Sequence, residues 1–260
     1  MNRPGDAASR PCLWVVVPCF NEARGVVATL AALRAQTDTA FTLLIVDNAS
    51  TDATRAVIDA FAAAHPGFAL RCIAEPQKGT GAAADTGFRF AIESGATHVA
   101  RTDADCLPAP DWIACLKRAF AEDAACVAGR IGLRSDDHRL RPFEHALLGA
   151  VAMLMATVAP LLPHNRGPQY RTRYVMASGG NLALTAALYL ASGGFPRIAI
   201  EDDNEERVLV NRVRRLGVEI RRDRRVFVRQ SARRIKHYGI LTTVLWYWNR
   251  KARPAEVDIR

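Results

Sequence analysis

The sequence predicts an α/β fold: a mostly parallel central sheet with helices on both faces, in a single domain with an elaboration in its second half. Three observations predict it. Short apolar, β-branched runs alternate with helical segments of the length that βαβ units use. Those runs are apolar throughout, as strands covered on both faces are. Half of the 260 residues are hydrophobic and no long like-charge block interrupts them, so the chain can bury a sizeable core and disorder is excluded.

The elements follow in order. Residues 1–11 are expected as a flexible tail. Their short apolar continuation runs at once into polar "CFNEAR", unlike a signal peptide. Strands are expected at 13–18, 41–48, 68–75 and 97–105. Helices are expected at 23–36, 52–65, 81–95 and 110–123, the third ended by Gly95. This first half covers residues 12–125. A second half, 126–234, opens with a strand and turn at 126–136 and a long apolar stretch at 144–164. Two Gly-Gly pairs then flank a helix within 174–195. Residues 201–217 open acidic and end basic, matching a helix macrodipole. Residues 218–234 read as short strand, basic turn, short strand and basic segment. The last stretch, 235–260, is a basic and aromatic extension.

The six cysteines form no CxxC pair and mostly sit in apolar runs. That favours a reduced, cytoplasmic setting over a disulfide framework or zinc site. A formal net charge of +9 suggests anionic partners. Nucleic acid is disfavoured, because "RRDRRVFVRQSARR" lacks aromatics at base-stacking spacing.

In an open parallel sheet, ligands bind beyond the carboxyl ends of the strands. "PCFNE" (18–22), "DNASTD" (47–52) and "DADC" (103–106) all fall there. Asp47 could accept a hydrogen bond from a nucleobase N–H or a ribose hydroxyl, or be a turn acid. Asp52 or Ser50 would cap the following helix. Asp103 and Asp105 repel each other, which a metal ion or an ordinary polar turn could accommodate. Mg²⁺ or Mn²⁺ bound to a diphosphate is the expected partner, since these ions favour hard oxygens. The glycine-rich "KGTGAAADTG" loop (78–87) precedes a helix. It resembles a phosphate cradle without being GxxxxGK[ST]. Lys78 would approach an anionic donor there or stay a solvated loop lysine.

Taken together, "VVVPCFNEARGVVATLAAL", "LLIVDNASTDATRAV" and "KGTGAAADTGFRFAIESGATHVARTDADCLPAPDW" resemble the nucleotide-binding half of a family 2 glycosyltransferase with the GT-A, Rossmann-like fold. "ASGGNLALTAALYLASGGF" and "EDDNEERVLVNRVRRLG" are similar to that family's second half. The resemblance implies inverting transfer of a single sugar from a nucleoside-diphosphate sugar, UDP- or GDP-linked, to a saccharide or lipid-linked acceptor. It implies nucleobase recognition by Asp47, with Pro18, Asn21 and Glu22 in the wall around the nucleoside. Asp103 would face ribose and metal, and Asp105 would ligate the metal directly. Gly179, Gly180, Asn181 and Glu201 would lie toward the donor sugar and acceptor. Asp202 would match the general base, with Asp203 as its rival. A non-catalytic nucleotide-sugar-binding protein of the same fold is the alternative.

Two departures bear on this. Where the family often has E-D-x-D-L, the fourth position here is Asn204. Where processive polysaccharide synthases carry Q-x-x-R-W, this chain has Gln230, Arg233 and then Arg234, which argues for single-sugar transfer. The 18 residues 146–163 carry no charge. They could form a helix buried over the acceptor site, one lying at a membrane interface, or a span. The interfacial alternative, together with "ILTTVLWYWNRKARP" (240–254), would place the protein peripherally at the inner face of an anionic membrane. Cell-envelope polysaccharide or glycolipid synthesis would then be its setting.

Overall fold

The computed structural model describes residues 12–134, 136, 141–197, 204–233, 235–239 and 242. The expected N-terminal tail, most of the C-terminal extension, and Glu201, Asp202 and Asp203 lie outside the described residues. Among the described residues eight strands form one mixed sheet in the order β3-β2-β1-β4-β7-β6-β8-β5. They are β1 (Leu13–Cys19), β2 (Thr42–Asp47), β3 (Leu70–Ala74), β4 (His98–Arg101), β5 (Cys106–Pro108), β6 (Cys126–Leu133), β7 (Leu182–Thr185) and β8 (Arg221–Gln230). The helices are α1 (Val26–Arg34), α2 (Thr54–Ala64), α3 (Thr80–Glu93), α4 (Trp112–Ala121), α5 (Pro142–Val158), α6 (Ala186–Ser192) and α7 (Glu205–Arg215).

The expected parallel block is present. β3, β2, β1 and β4 pair in parallel, and β7 then runs antiparallel to both β4 and β6. Every residue of β1 is buried, and its side chains alternate between two cores. Leu13, Val15, Val17 and Cys19 meet Val26, Leu30 and Leu33 of α1, Ile58 of α2, and Trp112, Ile113 and Leu116 of α4. Trp14 and Val16 face Ala83, Ala84 and Phe88 of α3, Tyr189 of α6, and Leu209 and Val213 of α7. A two-sided burial pattern of this kind is what a period of two predicts when both faces are covered. α3 lies closest to the sheet, because a Cβ on Gly87 would stand 2.4 Å from Val16 and 2.8 Å from Val46.

Three sequence expectations change. The fourth strand ends at Arg101, not at Asp105, because the chain turns there and the Cys106 N–H donates to the Asp103 carbonyl at 3.0 Å. Residues 221–230 form one strand rather than strand, turn and strand. The basic run survives in the sheet because its register slips: Asp223 lies opposite Gly129, but Phe227 lies opposite Arg130. Part of its charge is also paired, with Arg225 on Asp223 at 2.6 Å and on Glu122 at 3.4 Å.

The apolar stretch at 146–163 is the third. It is helix α5 followed by two 3₁₀ turns, Ala159–Leu161 and Pro163–Asn165. The buried-helix expectation is overturned: Phe143, Met153 and Leu154 are 60%, 72% and 61% exposed. A span is not supported either, since no helix among the described residues is long and apolar enough to cross a membrane.

Candidate active site

The carboxyl ends of β1, β2 and β4 open on one edge of the sheet. Cys19 is level with Asp47, and Val16 is level with Arg101. The loops that follow β1 and β2 are tied together. Asn21, held at φ 51°, donates its N–H to Ser50 Oγ at 3.0 Å, and its Oδ1 accepts from the Thr51 N–H at 2.8 Å. Asn and Asp tolerate this left-handed conformation better than other side chains. Pro18 sits near the end of the buried β1. Asp47 is half-buried at the end of β2 and accepts the Ser50 N–H at 3.2 Å. Asp52 accepts the N–H groups of Ala23 and Thr54, at 3.2 and 2.9 Å. It thereby links the two loops at the start of α2.

The glycine-rich loop is held from the same edge. The buried Asn48 donates to the carbonyls of Glu75 and Gln77 at 2.9 and 2.7 Å and accepts the Gly79 N–H at 2.8 Å. Gly79 has φ 136° and begins α3. At Gly81 a Cβ would stand 2.3 Å from the Pro196 carbonyl, so the helix start needs that glycine. Lys78 is exposed, with its ammonium 5.1 Å from the Phe20 ring.

Two ion-pair groups organise the acids. In the first, Arg101 is 2% exposed, and its Nε and Nη2 donate to Asp103 Oδ1 at 3.1 and 3.0 Å. Nη1 and Nη2 also reach Glu205 Oε1, each at 3.3 Å. Burial works against the charge of Arg101, but Asp103, Glu205 and Glu206 outweigh it and hold its pKa above the ordinary value. Glu206 accepts the Gly179 N–H at 3.0 Å. Its enclosed carboxyl is pushed up to about 7, by burial first and by neighbouring Glu205 second, against the pull of Arg101.

In the second group, Arg233 pairs with both oxygens of the buried Glu22 and reaches Asp105 Oδ2 at 3.2 Å. The Asp105 carbonyl accepts from Arg134 at 3.1 Å. Glu22 was expected in the nucleoside wall. It is buried and anchors the Arg233 guanidinium.

Gly179 and Gly180 are buried against these acids. A Cβ at Gly179 would stand 2.6 Å from the Arg101 guanidinium carbon, and one at Gly180 would stand 3.0 Å from Asp103 Oδ2. Asn181 was expected toward the donor sugar or acceptor. Its Oδ1 accepts from the Trp112 indole at 2.9 Å, and its Nδ2 donates to the carbonyls of Arg130 and Val226 at 2.9 and 3.0 Å. Asn204, the amide that departs from the family pattern, caps α7 by accepting the Arg207 N–H at 3.0 Å.

The residues fit a cation shared with a ligand. Asp103 and Asp105 keep side-chain exposures of 24% and 19%. Oδ2 of Asp103 accepts no hydrogen bond among the described residues. No group of three acids, histidines or cysteines among those residues could hold a metal alone. Two carboxylates completed by diphosphate oxygens and water would satisfy a hard divalent ion. Arg101, Glu205 and Arg233's role were not foreseen. Arg101 had one visible signal, a charge in an otherwise apolar strand, where burial demands a partner.

Comparison with known proteins places this geometry. The family model for "Glycosyl transferase family 2" matches residues 14–178. The chain is 31% identical over 105 residues to Glycosyltransferase AglE of Haloferax volcanii, a match spanning 40% of this chain and 33% of that one. It superimposes with TM-score 0.62 on the mannosyltransferase PcManGT from Pyrobaculum calidifontis in complex with GDP-Man and Mn²⁺, at 23% identity, covering 93% of this chain and 65% of that one. Against S. aureus TarS 1–349 in complex with UDP-GlcNAc the TM-score is 0.58 at 15% identity, covering 85% and 58%. The chain thus spans less than two thirds of these relatives' length, and the structural matches establish a shared GT-A fold.

Proposed function

Because the chain belongs to glycosyl transferase family 2, we propose that it transfers a single sugar from a nucleoside-diphosphate sugar to an acceptor hydroxyl with inversion. The observation that carries this reading is the placement of Asp47 at the end of β2 and of Asp103 and Asp105 past the end of β4, on one sheet edge of a family member. Similarity to proteins whose structures hold GDP-Man with Mn²⁺ and UDP-GlcNAc supports a GDP- or UDP-linked donor.

In this reading Asp47 accepts a nucleobase N–H, beside a wall formed by Pro18 and the Asn21 loop. Lys78 faces the anionic diphosphate. Asp103 and Asp105 hold a divalent cation, Mn²⁺ or Mg²⁺, with Asp105 as the direct ligand and Asp103 toward the ribose. The bound cation, as a Lewis acid, would stabilise charge on the departing diphosphate. Asp202, or its rival Asp203, takes the proton of the acceptor hydroxyl as that oxygen bonds to the anomeric carbon. The bond from that carbon to the diphosphate oxygen breaks, and the configuration inverts. Gly179, Gly180 and Glu201 lie toward the sugars.

The exposed apolar face of α5 supports a lipid-linked acceptor and peripheral contact with an anionic membrane from the cytoplasmic side. That setting is cell-envelope polysaccharide or glycolipid synthesis. A saccharide acceptor without membrane contact is the alternative. Nucleic acid is not proposed as a partner, because "RRDRRVFVRQSARR" lacks aromatics at base-stacking spacing.

The test is a screen of nucleotide sugars for nucleoside-diphosphate release with Mn²⁺ or Mg²⁺, followed by NMR of the product's anomeric centre. Release from at least one donor and an inverted product are expected. Binding without release, unchanged by Asp202→Asn or Asp203→Asn, would establish the non-catalytic alternative.

A further inference from the structure

We propose that Arg101 is a positioning residue, whose guanidinium locks the Asp103 carboxylate to the first turn of α7 and so fixes the donor-side acid relative to that helix. The inference rests on the reading of Asp103 as a donor-site acid.

Four contacts make the lock. Nε and Nη2 converge on a single oxygen of Asp103, at 3.1 and 3.0 Å. Nη1 and Nη2 converge on a single oxygen of Glu205, both at 3.3 Å. The planar fork therefore joins Asp103, two residues from Arg101, to Glu205, 104 residues from it. A lysine in the same place would offer one point charge and no fork.

The guanidinium is confined. Its carbon lies 5.5 Å from the Phe195 ring centroid, and Gly179 leaves no room for a side chain against it. The second Gly of that pair packs against Asp103 Oδ2. The Gly-Gly pair thus clears space for the fork and for the acid it holds.

The arrangement has a consequence beyond neutralising buried charge. With Oδ1 held by Arg101, the Asp103 side chain is fixed in one rotamer and presents Oδ2 alone. The same fork holds Glu205, the first residue of α7 and three positions beyond Asp202 in sequence. The donor-side acid and the first turn of α7 are then set by one buried cation. A small misplacement of groups so aligned costs rate far more than stability.

Arg101→Lys and Glu205→Gln, singly and together, test this in the full chain. For each variant, thermal unfolding, the kcat and KM for the donor, and the Mn²⁺ concentration giving half-maximal donor turnover are measured. The expectation is a tenfold or greater fall in kcat for Arg101→Lys, with half-saturation by Mn²⁺ shifted several-fold upward. Glu205→Gln should give a smaller change of the same sign, and the double variant should be no worse than Arg101→Lys. Wild-type kcat and Mn²⁺ dependence in folded Arg101→Lys would overturn the proposal. So would losses that merely follow the fall in unfolding temperature, or that add in the double variant. If Arg101→Lys does not fold, Glu205→Gln alone decides: unchanged kcat and Mn²⁺ dependence overturns the lock. Failure of the wild-type protein to release diphosphate from any donor is a different result, and removes the glycosyltransferase reading on which the lock rests.

Discussion

Glu206 shows what a single enclosed acid does to stability. Its carboxyl is raised to about 7 by burial and by Glu205, so the folded protein retains a proton that the unfolded chain releases near the ordinary value of 4.5. Stability from this group is therefore present at acid pH and is lost as pH rises from about 4.5 to 7. Glu206→Gln keeps an oxygen for the Gly179 N–H and removes the charge. In urea titrations it should be more stable than wild type by roughly 1–3 kcal/mol at pH 8, with the difference closing near pH 4.5. Equal stability at both pH values would refute the assignment.

Asn181→Ala has the opposite sign. It leaves the Trp112 indole and two buried carbonyls without their partner, which should cost about 2–4 kcal/mol at any pH between 6 and 8. At this scale the sequence was informative about acids and poor about their partners. Asp47, Asp103 and Asp105 could be located because strand ends are visible as breaks in apolar runs. Arg233 on Glu22, and Glu205 on Arg101, join residues 211 and 104 positions apart. No local pattern records such a pair.

Among the elements, α3 is positioned by what it lacks. Its Gly87 faces Val16 and Val46 at distances that exclude a methyl group. Gly87→Ala should destabilise by about 1–3 kcal/mol through overpacking, despite alanine's better helix propensity, as measured by the shift of the urea midpoint. Helix α5 makes the contrary case. It is apolar by composition, which suggested burial, yet Met153 and Leu154 face outward. Composition cannot tell a core from an interface, because both reward the same side chains.

If that face meets lipid, Met153→Glu with Leu154→Glu should leave unfolding unchanged. It should also lower sedimentation with anionic vesicles at low salt by tenfold or more, given about 1.5–3 kcal/mol for each large apolar side chain. Wild-type protein that ignores such vesicles would exclude the membrane contact. Strand β8 was misjudged for a related reason. The run "RRDRR" read as a basic turn, but within the sheet Arg225 pairs with Asp223 and Glu122.

Across the whole molecule, one sheet gathers both halves of the chain. β4 of the first half pairs with β7 of the second, while β5 crosses to the far edge beside β8. This brings the Gly179–Gly180 pair and the start of α7 onto the acids that follow β4. The parallel half was legible because each strand and helix follows a local period. The antiparallel closure was not, since β7 has four residues and its pairing depends on partners more than 50 positions away.

In the proposed function this edge binds a nucleotide sugar through a cation held by Asp105 and Asp103. The measurement that tests it most directly is nucleoside-diphosphate release from the best donor as a function of Mn²⁺, for wild type and Asp105→Asn, at matched fold stability. Release that depends on Mn²⁺, is abolished by chelator and falls at least a hundredfold in the variant, about 3 kcal/mol in the barrier, is expected. Release that proceeds equally in chelator, or that Asp105→Asn leaves intact, would contradict it.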